Sequence, residues 1–279
     1  MVVVVATLAA WTAVAAAVWA PPREPTSVAS CTVPRGAPRV VLFGDSLAYG
    51  ARPRFKSDVE CGARAHVNVI AQPGAALCDF RNVIRREVGV RRIDVAVIEF
   101  VGNNITPCTK EPTGAPLVGR ALLARYRADA FDAMSMLTTA GAHVVFVTPL
   151  GRADTTEPPL GSVYEAVARA GGRRVSIVDG GREFRDSAGF YRALLPCLPK
   201  ETSLPACSHG LIRVRMPFEG FHFCPVLKSG PCPVHAAGAV RFANEMTAGV
   251  EAVLRTRSAE ARRHVSRSRR DRTGTRDDR

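Results

Sequence analysis

Residues 39 to 50 read RVVLFGDSLAYG. Four apolar residues, Val40 to Phe43, run into Gly44-Asp45-Ser46 without a polar residue between them. An unbroken apolar run of this length suits a strand covered on both faces, as strands of a parallel sheet are. Asp and Ser directly after it are good helix N-caps. The same two residues stand at the carboxyl end of the strand, where open α/β sheets bind their ligands. Ser46 therefore has two readings, a cap or a hydroxyl held for reaction.

Working outward, further strand candidates are His66 to Ile70, Ile93 to Phe100, His143 to Thr148 and Val175 to Val178. The runs DVAVIEF and HVVFV are again continuous and apolar. Helical pattern lies between them: residues 116 to 139, closed by Gly141 as C-cap, then Val163 to Ala170. Residues 236 to 256 place Ala239, Phe242, Met246, Val250 and Leu254 at helical spacing. Strand–helix alternation predicts a doubly wound, mostly parallel sheet with helices on both faces, a flavodoxin-like α/β/α sandwich in a single domain. Residues 181 to 235 break the rhythm with four Cys and seven Pro, and read as a long loop region pinned by disulfides.

The chain has 279 residues, 47% of them hydrophobic and 23% charged, which suits one globular core with some chain left over. Residues 2 to 20, VVVVATLAAWTAVAAAVWA, carry no charge, and PPREP follows. This stretch reads as a signal peptide or a membrane anchor at 1–20, and either implies a secreted or membrane-anchored protein with an extracytoplasmic domain. A Pro-rich linker at 21–37 leads to a domain at 38–254. Eight Cys, an even number in an exported chain, predict disulfides. Pairing neighbours gives Cys31 with Cys61, Cys78 with Cys108, Cys197 with Cys207 and Cys224 with Cys232. No CxxC pair occurs, so no metal site is expected. Residues 255 to 279 hold ten Arg and four acids, a net of +6, with little to bury. They read as a frayed helix end and then a basic disordered tail. For an exported chain that charge suits a solubilising tail, or membrane or cell-wall association, rather than nucleic acid.

Three other blocks also follow strands. AQPGAALCD, residues 71 to 79, offers Gly74 and a backbone N–H that an oxygen can approach. FVGNNITPC, residues 100 to 108, offers two adjacent side-chain amides, Asn103 and Asn104, suited to donate to a developing oxyanion. Each of these also reads as an ordinary turn. MPFEGFHFCP places Glu219 three residues before His222, with Cys224 as a possible tether. A carboxylate there can hold Nδ1–H and leave Nε2 free as a base.

In chain order the blocks contribute Ser, Gly, Asn and His. In this the sequence resembles the SGNH hydrolases, also called the GDSL family, from residue 39 to about 254. Gly44-Asp45-Ser46-Leu47 matches that family's signature tetrapeptide. The resemblance implies a serine esterase in which Ser46 attacks an ester carbonyl and His222 takes its proton, with Glu219 behind it. Ser46, Gly74 and Asn103 would form the oxyanion hole, with no cofactor required. Two departures stand out. Val101-Gly102-Asn103-Asn104 replaces Gly-x-Asn-Asp; counting without gaps from Asp94 selects Asn103, whereas a strict Gly-x-Asn selects Asn104. Glu219 stands where the family usually has Asp. The implied substrate is a small-molecule, glycan or lipid ester, acetyl or longer acyl. The alternatives are an O-acyltransferase domain acting on a cell-surface glycan and a catalytically inactive wall-binding module.

Overall fold

The computed structural model describes residues 31–224 and 230–274, with side chains omitted at Ala261 and from His264 onward. Residues 1–20, the first part of the linker and the last five residues of the tail lie outside this range. Five parallel strands form one sheet: β1 (Arg39–Gly44), β2 (His66–Ala71), β3 (Val95–Glu99), β4 (His143–Val147) and β5 (Val175–Val178). Their order is β2-β1-β3-β4-β5, the doubly wound arrangement expected from the alternation. The central register pairs Gly44 with Ala71 on one side and with Glu99 on the other. Three strand ends thus lie level, and the loops leaving them share one edge of the sheet.

Alternate residues of each strand face opposite layers, as the pleat requires. Val40, Leu42, Val95, Val97 and Val145 pack on one side against α1 (Ser46–Asp58) and the last helix, here α5 (Ala237–Gly274). Val41, Phe43, Ala96, Ile98 and Phe146 pack on the other against α2 (Arg81–Val90), α3 (Gly119–Thr139) and α4 (Leu160–Gly171). This alternation explains why β1, β3 and β4 read as unbroken apolar runs: both of their faces are covered.

The region between β5 and α5 holds short helical turns and one small antiparallel hairpin, β6 (Leu194–Pro196) with β7 (Leu211–Arg213). A buried ion pair holds this region to α5. Arg241 Nε and Nη2 lie 2.9 and 2.5 Å from the two carboxylate oxygens of Glu201, with both side chains almost fully enclosed. All four neighbour pairings of cysteine are present: Cys31–Cys61, Cys78–Cys108, Cys197–Cys207 and Cys224–Cys232. Among the described residues no helix is long and apolar enough to cross a membrane.

The tail differs from expectation. The final helix does not end near 254 but continues to Gly274. Ala, Arg and Glu are good helix formers and need no apolar stripe to continue a helix already begun. Arg255 pairs with Glu251 one turn back, and Arg257 reaches the backbone carbonyl of Asp94 at 2.5 Å and its carboxylate at 3.2 Å. The extension is thereby anchored to the chain entering β3.

Candidate active site

Ser46 is the first residue of α1, and the cap is Asp45. Asp45 Oδ1 accepts from Leu47 N at 3.0 Å, and its backbone carbonyl accepts from Tyr49 N at 2.9 Å. Ala48 N donates to Glu99 Oε2 at 3.1 Å. Of these first-turn N–H groups, that of Ser46 alone has no acceptor among the described residues. Gly44 makes the turn possible. A Cβ there would lie 2.4 Å from the Ala48 Cβ and 2.9 Å from the Glu99 carbonyl oxygen.

His222 arrives from a different part of the chain. Its Nε2 lies 2.9 Å from Ser46 Oγ, although 176 residues separate them. Its Nδ1 lies 2.7 Å from Glu219 Oε1. With an ionised Glu219 the Nδ1 atom carries the proton, and Nε2 is then the acceptor for the serine O–H. Serine, imidazole and carboxylate therefore form one hydrogen-bonded chain. The added methylene of Glu219 is accommodated, and Glu219 Oε1 also accepts from the backbone N–H of His222 at 3.3 Å. The Cys224–Cys232 disulfide follows immediately, and Cys232 N donates to Gly50 O at 3.1 Å, joining this loop to the serine helix.

Gly74 lies in the loop after β2 with φ +78°, a left-handed conformation that favours glycine. Gln72 N donates to Gly44 O at 3.0 Å, which sets this loop beside the serine turn. Asn103 bridges the two. Its Nδ2 donates to Asp45 Oδ2 at 3.1 Å and to Ala75 O at 2.9 Å. Its backbone carbonyl accepts from the buried Tyr126 hydroxyl at 3.0 Å. Asn104 instead donates to Leu117 O at 3.0 Å, away from this junction. The structure thus brings Ser46, His222, Glu219 and Asn103 together, with Gly74 one residue from the Ala75 carbonyl that Asn103 holds. Sequence reading did not anticipate that both amide hydrogens of Asn103 have acceptors within the protein.

Behind the serine, two buried carboxyl groups face one another. Burial pushes the Asp45 carboxyl up to about 7, against the opposing pull of N–H donors from Val101 and Leu47. Burial and then the neighbouring Asp45 charge push Glu99 well above the usual carboxylate range. Cys78, Asp79 and Cys108 are the one cluster of metal-ligand type among the described residues. Its two sulfurs are joined to each other, which leaves no thiolate there to bind an ion.

Sequence reading missed the groups that hold the histidine loop. Arg152 Nη2 donates to Glu219 O at 2.9 Å, and the buried Arg215 reaches the carbonyls that follow. Neither stands in a motif, and no spacing pattern marks them out.

No family model matches the sequence, and neither does any curated protein. Solved structures do match. One is an alpha/beta hydrolase enzyme from the metagenome of Lake Arreo, Spain, at 13% identity and a TM-score of 0.53, over 78% of this chain and 97% of that one. A Bacteroides fragilis structure provisionally described as an acylhydrolase matches at 16% identity and a TM-score of 0.49, over 80% and 91% of the two chains. A Slackia heliotrinireducens structure provisionally described as an SGNH hydrolase matches at 16% identity and a TM-score of 0.46, over 75% and 99%. At such identities the likeness to the Lake Arreo structure establishes the fold alone.

Proposed function

We propose that the protein is a serine esterase of SGNH type that cleaves acyl esters outside the cytoplasm. The observation that carries this reading is the continuous chain Ser46 Oγ, His222 Nε2, His222 Nδ1 and Glu219 Oε1, with links of 2.9 and 2.7 Å. In the acylation step His222 takes the Ser46 proton as Oγ attacks the ester carbonyl, and Glu219 stabilises the imidazolium. The imidazolium then protonates the departing alkoxide. In the second step His222 deprotonates a water that attacks the acyl-serine, and the imidazolium returns that proton to the departing Ser46 Oγ as the acid is released.

The tetrahedral oxyanion is received by the backbone N–H groups of Ser46 and Gly74. Asn103 is the third donor in this reading, in preference to Asn104, because it alone bonds to both flanking segments. To serve, its amide must share or release one of its present acceptors. The four disulfides support an oxidising, extracytoplasmic location.

Hydrolysis of p-nitrophenyl acetate and its longer-chain homologues tests the reading. The expected result is turnover that disappears in Ser46→Ala, together with labelling of Ser46 by a fluorophosphonate. Absence of both turnover and labelling would overturn it and favour a wall-binding module. Labelling with little hydrolysis, but acyl transfer to an added sugar alcohol, would replace hydrolase with O-acyltransferase.

A further inference from the structure

Arg215 has the largest fully buried side chain of the described residues, at 1% exposure, and no carboxylate among them pairs with it. Its guanidinium carbon lies 5.1 Å from the centre of the Phe184 ring and 5.5 Å from that of Tyr191. Nε and Nη2 are buried without an acceptor among the described residues. Nη1 donates to the Phe221 carbonyl at 3.0 Å and reaches the Gly220 carbonyl at 3.4 Å. Burial holds the group down to about 10, so it remains charged at neutral pH.

A buried guanidinium met only by ring faces and carbonyls is an expensive way to fill space, and an apolar side chain of similar volume costs less. What the charge supplies is a directed grip on two carbonyls between Glu219 and His222. The neighbouring carbonyls are held too. Glu219 O accepts from Arg152, Gly220 O from Ala153 N at 2.8 Å, and His222 O from Met216 N at 2.7 Å. Every carbonyl from 219 to 222 thus has a donor. Arg215 is the one donor that acts from inside the core, while its own position is fixed by packing.

We propose that Arg215 is a positioning residue for His222. Its hold on the carbonyls of residues 220 and 221 keeps the imidazole between Ser46 and Glu219. The proposal rests on the esterase reading of Ser46 and His222, and its test includes a readout that needs no turnover. In the wild-type protein the Nδ1–H of His222, bonded to Glu219, should give a downfield proton resonance. Arg215→Met preserves the stem and removes the donors. It should fold, as followed by circular dichroism, yet lose or displace that resonance. Its fluorophosphonate labelling of Ser46 should slow by about 10- to 100-fold, the scale of a misplaced catalytic group. Arg215→Lys, which can donate to the same carbonyls, should recover part of both.

A folded Arg215→Met with the wild-type resonance and labelling rate would overturn the proposal. So would an Arg215→Lys that is no better than Arg215→Met. If Arg215→Met does not fold, Arg215→Gln, polar but too short to reach the carbonyls of residues 220 and 221, decides: a displaced resonance with slower labelling supports the proposal, and wild-type values for both overturn it. If the wild-type protein itself takes no fluorophosphonate, the esterase reading fails, while the resonance comparison still judges Arg215.

Discussion

Asp45 and Glu99 place two carboxyl groups in one buried space beneath the nucleophile turn, and Glu99 keeps one oxygen, Oε1, without a partner among the described residues. Two anions cannot share such a space cheaply, so burial and the Asp45 charge both favour the protonated form of Glu99. Glu99→Gln mimics the protonated form. The folded-state affinity of Glu99 for protons exceeds its unfolded-state value, so wild-type stability declines as pH rises above the unfolded value of about 4.3. The variant lacks this decline. Urea midpoints should therefore favour Glu99→Gln by a margin that grows from about pH 5 to pH 8. The slope is at most about 1.4 kcal/mol per pH unit for one proton. A constant difference across that range would show that Glu99 does not titrate.

Glu219 is partly exposed, and its carboxylate faces the imidazole at a single point. Glu219→Gln should reduce kcat for p-nitrophenyl esters by about 100-fold with KM nearly unchanged, because the neutral amide cannot stabilise the imidazolium. Retention of wild-type kcat would mean that His222 works with Ser46 as a dyad.

The two asparagines make opposite predictions. Asn103→Ala removes the bridge between the serine turn and the Gly74 loop, and should lower kcat by about 100- to 1000-fold, the usual loss for an oxyanion donor. Asn104→Ala loses a contact to Leu117 and should stay within a few-fold of wild type. The reverse ranking in a side-by-side kinetic assay would assign the role to Asn104.

The sheet was legible because β1, β3 and β4 are buried on both faces, which writes them as unbroken apolar runs. The candidate site was legible because Ser46 and Asn103 each follow such a strand, and Gly74 follows the half-buried β2 beside β1. Glu219 and His222 were found by their three-residue spacing. Other features left no such mark. The β6–β7 hairpin has strands of three residues, too short for a period to register. The continuation of α5 to Gly274 depends on helix formers and on the Arg257 contact with Asp94, not on an apolar stripe. The role of Arg215 depends on ring faces and carbonyls contributed by segments distant in sequence. The engagement of the Asn103 amide depends on Asp45 and Ala75, which only folding places beside it.

The Cys78–Cys108 bond ties the loop that carries Gly74 to the loop that carries Asn103, across a separation of 30 residues. A crosslink of that span contributes roughly 3–4 kcal/mol, and the remaining three disulfides leave the sheet fastened without it. A Cys78→Ser, Cys108→Ser double variant should keep its helical circular dichroism and lose much of its reactivity towards fluorophosphonate. Loss of that reactivity with the helical signal retained would mean that one covalent bond, rather than the fold as a whole, sets the Gly74 and Asn103 loops against the serine turn.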